Sequence, residues 1–167
     1  MRRLRALAPH SAAISLAVAL GCGSPTGLPF TPRDGDLTIP NETIPQAATT
    51  ETVAAQRATW RASAPRRYLL EQQYTCFNDV RAPVVIEVLD GVVISAWELA
   101  TGRVLAERDA VRSIEQLFDE ALAELARGRS VQVLYDAARG YPTLLQSSQP
   151  GTLDSQCSYR SIGFRPR

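Results

Sequence analysis

Three cysteines, two aspartates and three arginines are the side chains of this 167-residue chain whose types and spacing could support chemistry. An odd number of thiols is awkward in an oxidising compartment unless one is modified, and acylation of Cys22 leaves an even pair, Cys76 and Cys157. Those two sit beside Tyr74 and Tyr159. They can bridge if their segments lie side by side and antiparallel, so that the end of one meets the start of the other. A redox-active or nucleophilic thiol lacks an activator, since there is no Cys-x-x-Cys and the only histidine is His10. Asp136 and Asp154 could act as paired carboxylates in acid-base hydrolysis if the fold brings them within a few ångströms. Arg66, Arg67 and Arg160 could grip an anion, against the plainer reading of a solvated face.

The segment before Cys22 carries an address. Arg2, Arg3 and Arg5 precede an uncharged run from Ala12 to Leu20 that is too short to span a bilayer core as a helix of roughly 20 apolar residues. Gly21-Cys22 at the end of such a run reads as a lipoprotein processing site, although Ala19 stands three before the cysteine where Leu is usual. The expectation is a signal peptide over 1–21, a fatty-acylated Cys22 and a tether over 22–51 punctuated by Pro25, Pro29, Pro32, Pro40 and Pro45. Gly23, where an acidic residue would retain a lipoprotein at an inner membrane, points to an outer membrane or cell surface.

Composition then excludes several classes of function. All 18 basic residues are arginines, and both His10 and Met1 lie in the leader. Without Arg2, Arg3 and Arg5, 15 arginines face 17 carboxylates, a net charge of −2 that offers no footprint for nucleic acid. Loss of His and Lys removes the residues best suited to proton transfer near neutrality, to transition-metal binding and to Schiff bases. No cofactor or metal is expected.

The elements that must position the remaining candidates are legible from residue 50 onward. Thr50 or Thr52 can cap a helix carrying Val53, Ala54 and Trp60, which Pro65 ends. Tyr68 to Cys76 alternates as a strand, and Asn78 and Pro83 bracket a turn. Val84–Leu89 and Val92–Trp97 flank Asp90-Gly91, the signature of a two-residue hairpin. Pairing Leu89 with Val92 puts Val84, Ile86, Val88, Val93 and Trp97 on the core side. Ser113-Ile-Glu-Gln116 is a capping box for a second helix, with Ile114, Leu117, Phe118, Ala121, Leu122 and Leu125 in one stripe and Gly128 as its stop. Strands follow at 131–135, 142–146 and 155–164. The order helix, three strands, helix, three strands predicts one α+β domain over 52–167: an antiparallel sheet of about six strands with both helices on one face.

The run Val131-Gln-Val-Leu-Tyr135-Asp136-Ala-Ala-Arg-Gly140-Tyr141-Pro142-Thr143, with Ser113-Ile-Glu-Gln-Leu-Phe118, Trp60, Tyr68 and Cys76 before it, resembles the bacterial family known as domain of unknown function 6174. The resemblance covers about residues 52–164. It implies a small exported, often lipid-anchored domain and no known activity. The chain departs from that pattern at Asn78, where the family often has a second Cys, and at Asp154-Ser-Gln, where an acidic cluster is thinned. Asp136, Gly140, Tyr141 and Pro142 could form a binding or catalytic loop. The plainer reading has Asp accepting backbone N–H bonds in a turn, Gly supplying positive φ and Pro opening an edge strand. The functional expectation is a monomeric, non-catalytic lipoprotein of the cell envelope. It would meet the membrane through its acyl chains and present its domain to an envelope protein partner, with a hydrolase using Asp136 or Asp154 as the alternative.

Overall fold

The computed structural model describes residues 44–106, 111–152 and 155–167. The leader, Cys22, the tether up to residue 43 and Asp154 lie outside the described residues. Helix α1 (Thr50–Ser63) is capped by Thr49, whose Oγ1 accepts the Thr52 N–H at 3.1 Å, while Thr52 Oγ1 accepts the Thr49 N–H at 2.9 Å. The cap is therefore one residue earlier than Thr50, and Thr52 is its reciprocal partner within the box. Helix α2 (Ile114–Ala126) starts as expected. Ser113 Oγ accepts the Gln116 N–H, Gln116 Oε1 accepts the Ser113 N–H, and Gly128 leaves the helix at φ 75°.

Among the described residues the sheet has eight strands in place of about six. The six long ones are β2 (Arg67–Cys76), β4 (Val84–Leu89), β5 (Val92–Glu98), β6 (Ser130–Tyr135), β7 (Pro142–Ser148) and β8 (Cys157–Pro166). The two additions, β1 (Gln46–Ala47) and β3 (Asp79–Val80), are two residues each, too short to carry an alternating pattern of their own. Among the described residues the strands pair antiparallel throughout, in the order β1-β6-β7-β8-β2-β4-β5 with β3 appended to β2. The first and last long strands are thus central neighbours, and Pro142 opens an interior strand, not an edge strand as expected. It is tolerated as the first residue of β7.

Both helices cover one face. Val53 and Trp60 of α1 and Ile114, Leu117, Phe118 and Ala121 of α2 pack on Tyr68, Leu70, Ile86, Val88, Val131, Val133, Leu145 and Tyr159. Trp97 is not among them. Ile94 is an extra residue in β5, so Val88 pairs with Val93 but Ile86 pairs with Ala96 and Val85 with Trp97. A one-residue bulge inverts every side chain beyond it, which hands the core position to Ala96 and moves Trp97 to the opposite face with Leu69, Val85 and Leu99.

Glu71 lies on that second face, beside Val85. It is 4% exposed, its Oε2 has no hydrogen-bond partner, and burial pushes its carboxyl above the usual carboxylate range. A carboxyl raised on folding holds its proton more tightly in the folded state, so its contribution to stability is full below the unfolded value and is lost as pH rises through the folded one. Glu71→Gln should therefore raise Tm at pH 7, with the gain shrinking toward pH 4. Equal gains at both pH values in thermal melts would contradict this.

Candidate functional site

Three side chains on the helix-covered face form a row across adjacent strands: Gln72 of β2 pairs with Val84 of β4, which pairs with Glu98 of β5. The row floors a cleft of about 490 Å³. Tyr74 extends the floor along β2, Arg81 and Ala82 form one wall after β3, and Leu105 and Ala106 form another where the chain returns along β5. Val111, entering α2, closes a third side. The cleft sits at the end of the sheet where β2 finishes and β4 begins, beside the start of α2.

Among the described residues, every ionised group in that lining has an internal partner. Arg81 Nε contacts Asp79 Oδ2 at 2.9 Å, and its guanidinium stands 5.3 Å from the centre of the Tyr74 ring. Arg103 pairs with Glu98, whose second oxygen accepts the Thr101 hydroxyl at 2.7 Å, and these bonds hold the Glu98 carboxyl below its usual range. Gln72 is 1% exposed and spends its amide on the backbone of Arg112, donating from Nε2 to the carbonyl at 3.1 Å and accepting the N–H at 3.0 Å. Among the described residues the uncommitted surface is apolar: Val84, Ala82, Leu105, Ala106 and Val111.

The family-motif residues lie at the opposite end of the sheet, where β6 turns into β7. Asp136 Oδ1 accepts the N–H groups of Ala138 at 3.1 Å and Arg139 at 2.7 Å, and the Asp136 carbonyl accepts the Gly140 N–H at 2.8 Å. This is the turn role. Tyr141 is buried with its ring against Trp60 and Phe164, and burial pushes its phenol up to about 12. Tyr135 stacks on Phe118. Gly140 has φ 74°, and a Cβ there would lie 2.9 Å from Gln56 Oε1 and 3.0 Å from Thr59 Cβ on α1. Gly140→Ala should cost about 1–2 kcal/mol from the left-handed backbone alone, with the Thr59 clash added, as a lowered urea midpoint would register. An unchanged midpoint would contradict it.

The three arginines do not converge. Arg66 makes a bidentate pair with Asp90 at 2.9 Å, Arg67 pairs with Glu87 at 2.7 Å, and Arg160 stands exposed opposite Gln73, toward the other end of β2. Cys76 and Cys157 do meet. They face each other across β2 and β8 with Cα atoms 4.0 Å apart and are bonded. The Phe77 N–H bonds to the Gln156 carbonyl, which makes the cysteines a non-hydrogen-bonded pair, the type that brings opposing side chains closest. Among the described residues, no group of three or more His, Cys, Asp or Glu is placed to hold a metal.

The cleft was not foreseen, because its walls come from separate connections that carry no motif. The one available signal was the Asp90-Gly91 hairpin with Ile94 counted as a bulge, which aligns Val84 with Glu98. A family model described as "Family of unknown function (DUF6174)" matches residues 52–160. No curated protein and no solved structure matches the chain.

Proposed function

The chain belongs to the family of unknown function DUF6174, and from that premise we propose an exported, lipid-anchored envelope protein whose domain is a non-catalytic binding module. Cys22 carries the acyl chains, residues 22–51 tether the domain, and the cleft receives an apolar side chain of an envelope protein partner. The observation that carries this reading is the cleft's division of labour. Among the described residues, its charged groups have internal partners, its free surface is apolar, and the carboxylate in its lining, Glu98, is held ionised by Arg103 and Thr101, unlike the raised carboxyl of a general acid. The hydrolase alternative, using Asp136 or Asp154, is the less favoured reading because Asp136 Oδ1 already accepts two turn N–H groups.

A photo-crosslinking amino acid in place of Ala82, in the membrane-anchored chain, tests it. The expected result is one defined protein adduct, absent when the crosslinker replaces Gln146 on the other face and lost when Leu105→Asp puts a charge into the cleft. Equal adducts from both positions, or none, would contradict a partner at the cleft.

A further inference from the structure

We propose that the Cys76–Cys157 disulfide acts as a redox clasp on the cleft: it pins the β2–β3 hairpin that carries Arg81 and Ala82, so the binding surface is formed only in the oxidised chain. The inference rests on the reading of the cleft as the binding surface and names how that surface is controlled.

The geometry is local. Cys76 has Cys157 of β8 on one side and Asp79 of β3 on the other, so the bridge fastens the turn end of the hairpin to β8. Besides the bridge, the turn is tied to β8 by the bond from the Phe77 N–H to the Gln156 carbonyl at 3.0 Å. Phe77 to Ala82 are all exposed, Phe77 and Val80 at 55% and 66%, so no buried side chain anchors the segment. Its pairing with β2 is short: Thr75 with Val80 and Cys76 with Asp79, followed by the bond from the Arg81 N–H to the Tyr74 carbonyl at 3.1 Å and a long one from Gln73 Nε2 to the Arg81 carbonyl at 3.5 Å. Phe77 turns the chain at φ 47°, a backbone region that a bulky residue rarely adopts and that favours opening once the clasp is gone. The Arg81 pair with Asp79 is internal to the hairpin and cannot fix it to the domain. The Tyr74 ring, which Arg81 covers, lies two residues before Cys76 and 4.8 Å from the Tyr159 ring, two residues after Cys157. Releasing the clasp therefore frees a wall of the cleft and loosens the end of its floor.

The rest of the β2–β8 ladder does not depend on the bridge. It pairs from Tyr68 with Pro166 down to Thr75 with Ser158, and β2 is held on its other side by β4. The cysteines are half-buried, which leaves the bridge open to thiol exchange. The reductant is a small thiol or a protein dithiol. Two thiols supply two electrons and two protons, the S–S bond breaks to give Cys76 and Cys157 thiols, and the reductant leaves as its own disulfide.

Backbone 15N relaxation on the folded domain, before and after reduction with dithiothreitol, reads the clasp directly. We expect order parameters for Phe77 to Ala82 to fall from rigid values of about 0.85 to below about 0.6, with α2 and β6 unchanged. Unchanged values at Phe77 to Ala82 would overturn the proposal. So would loss of the dispersed spectrum as a whole, since the bridge would then hold the domain and not the hairpin. In parallel, crosslinking from Ala82 should fall at least tenfold on reduction. If Ala82 gives no adduct even when oxidised, the partner reading fails while the relaxation result still decides whether the clasp exists.

Discussion

Replacing Cys76 and Cys157 together by serine lowers the stability of the domain by about 4.5 kcal/mol in the chain-entropy model, as the loss of a bridge across a separation of 81 residues requires. The effect acts mainly on the unfolded chain, whose ensemble is no longer closed between its second and last strands. Folded contacts change only at the end of the β2–β8 ladder and in the adjoining segment from Phe77 to Ala82. Urea unfolding of oxidised protein and the double variant checks it: the variant's midpoint should fall steeply, and its m-value should rise because a less constrained chain exposes more surface. A midpoint shift worth less than about 1 kcal/mol would mean that the open chain keeps compensating structure.

Trp60→Ala should cost about 3–5 kcal/mol, the range for deleting a buried aromatic. Trp60 is fully buried, and its ring meets Tyr68, Tyr141 and Phe164 edge-on at 5.8, 5.7 and 5.7 Å. It is also the donor that ties the helices together: its Nε1–H bonds to Glu115 Oε1 at 2.9 Å, while the Tyr68 hydroxyl donates to Glu115 Oε2 at 2.7 Å and accepts the Ile114 N–H at 2.9 Å. Burial, together with the Glu115 charge, raises the Tyr68 phenol well above its usual value, so Tyr68 stays a donor throughout the working pH range. Trp60→Phe keeps most of the packing and removes the N–H, and should cost about 1–2 kcal/mol. Equal losses for the two variants in chemical denaturation would assign the whole effect to the hydrogen bond.

The elements that could be read in advance are those whose signal is local. Asp90-Gly91 closes its hairpin with both residues at positive φ, 50° and 80°, and the Ser113 box starts α2, because turn and cap chemistry act over four residues. The cysteine pairing was legible by elimination, since acylation of Cys22 leaves Cys76 and Cys157 as an even pair. What escaped is what neighbours impose. β1 and β3 exist only because β6 and β2 offer partners, and Ile94 bulges without a Gly to mark it, so Trp97 changed faces unannounced. Glu71 reads as a solvent-facing residue in an alternating strand, yet it is buried on the second face. The cleft depends on three connections meeting over the row Gln72, Val84 and Glu98, a tertiary fact with no sequence period. Asp136, which stands out in the motif, proved to organise a turn.

The proposed role depends on the chain being moored outside the cytoplasm, where an apolar cleft on a tethered, disulfide-closed domain can meet an envelope protein. Intact-mass and peptide mass spectrometry of the protein from its native membranes tests that most directly. The account predicts a mature chain beginning at residue 22, with Cys22 carrying fatty acyl groups and Cys76 joined to Cys157. A soluble chain that retains residues 1–21, or a membrane-fraction chain whose Cys22 thiol is unmodified, would contradict it.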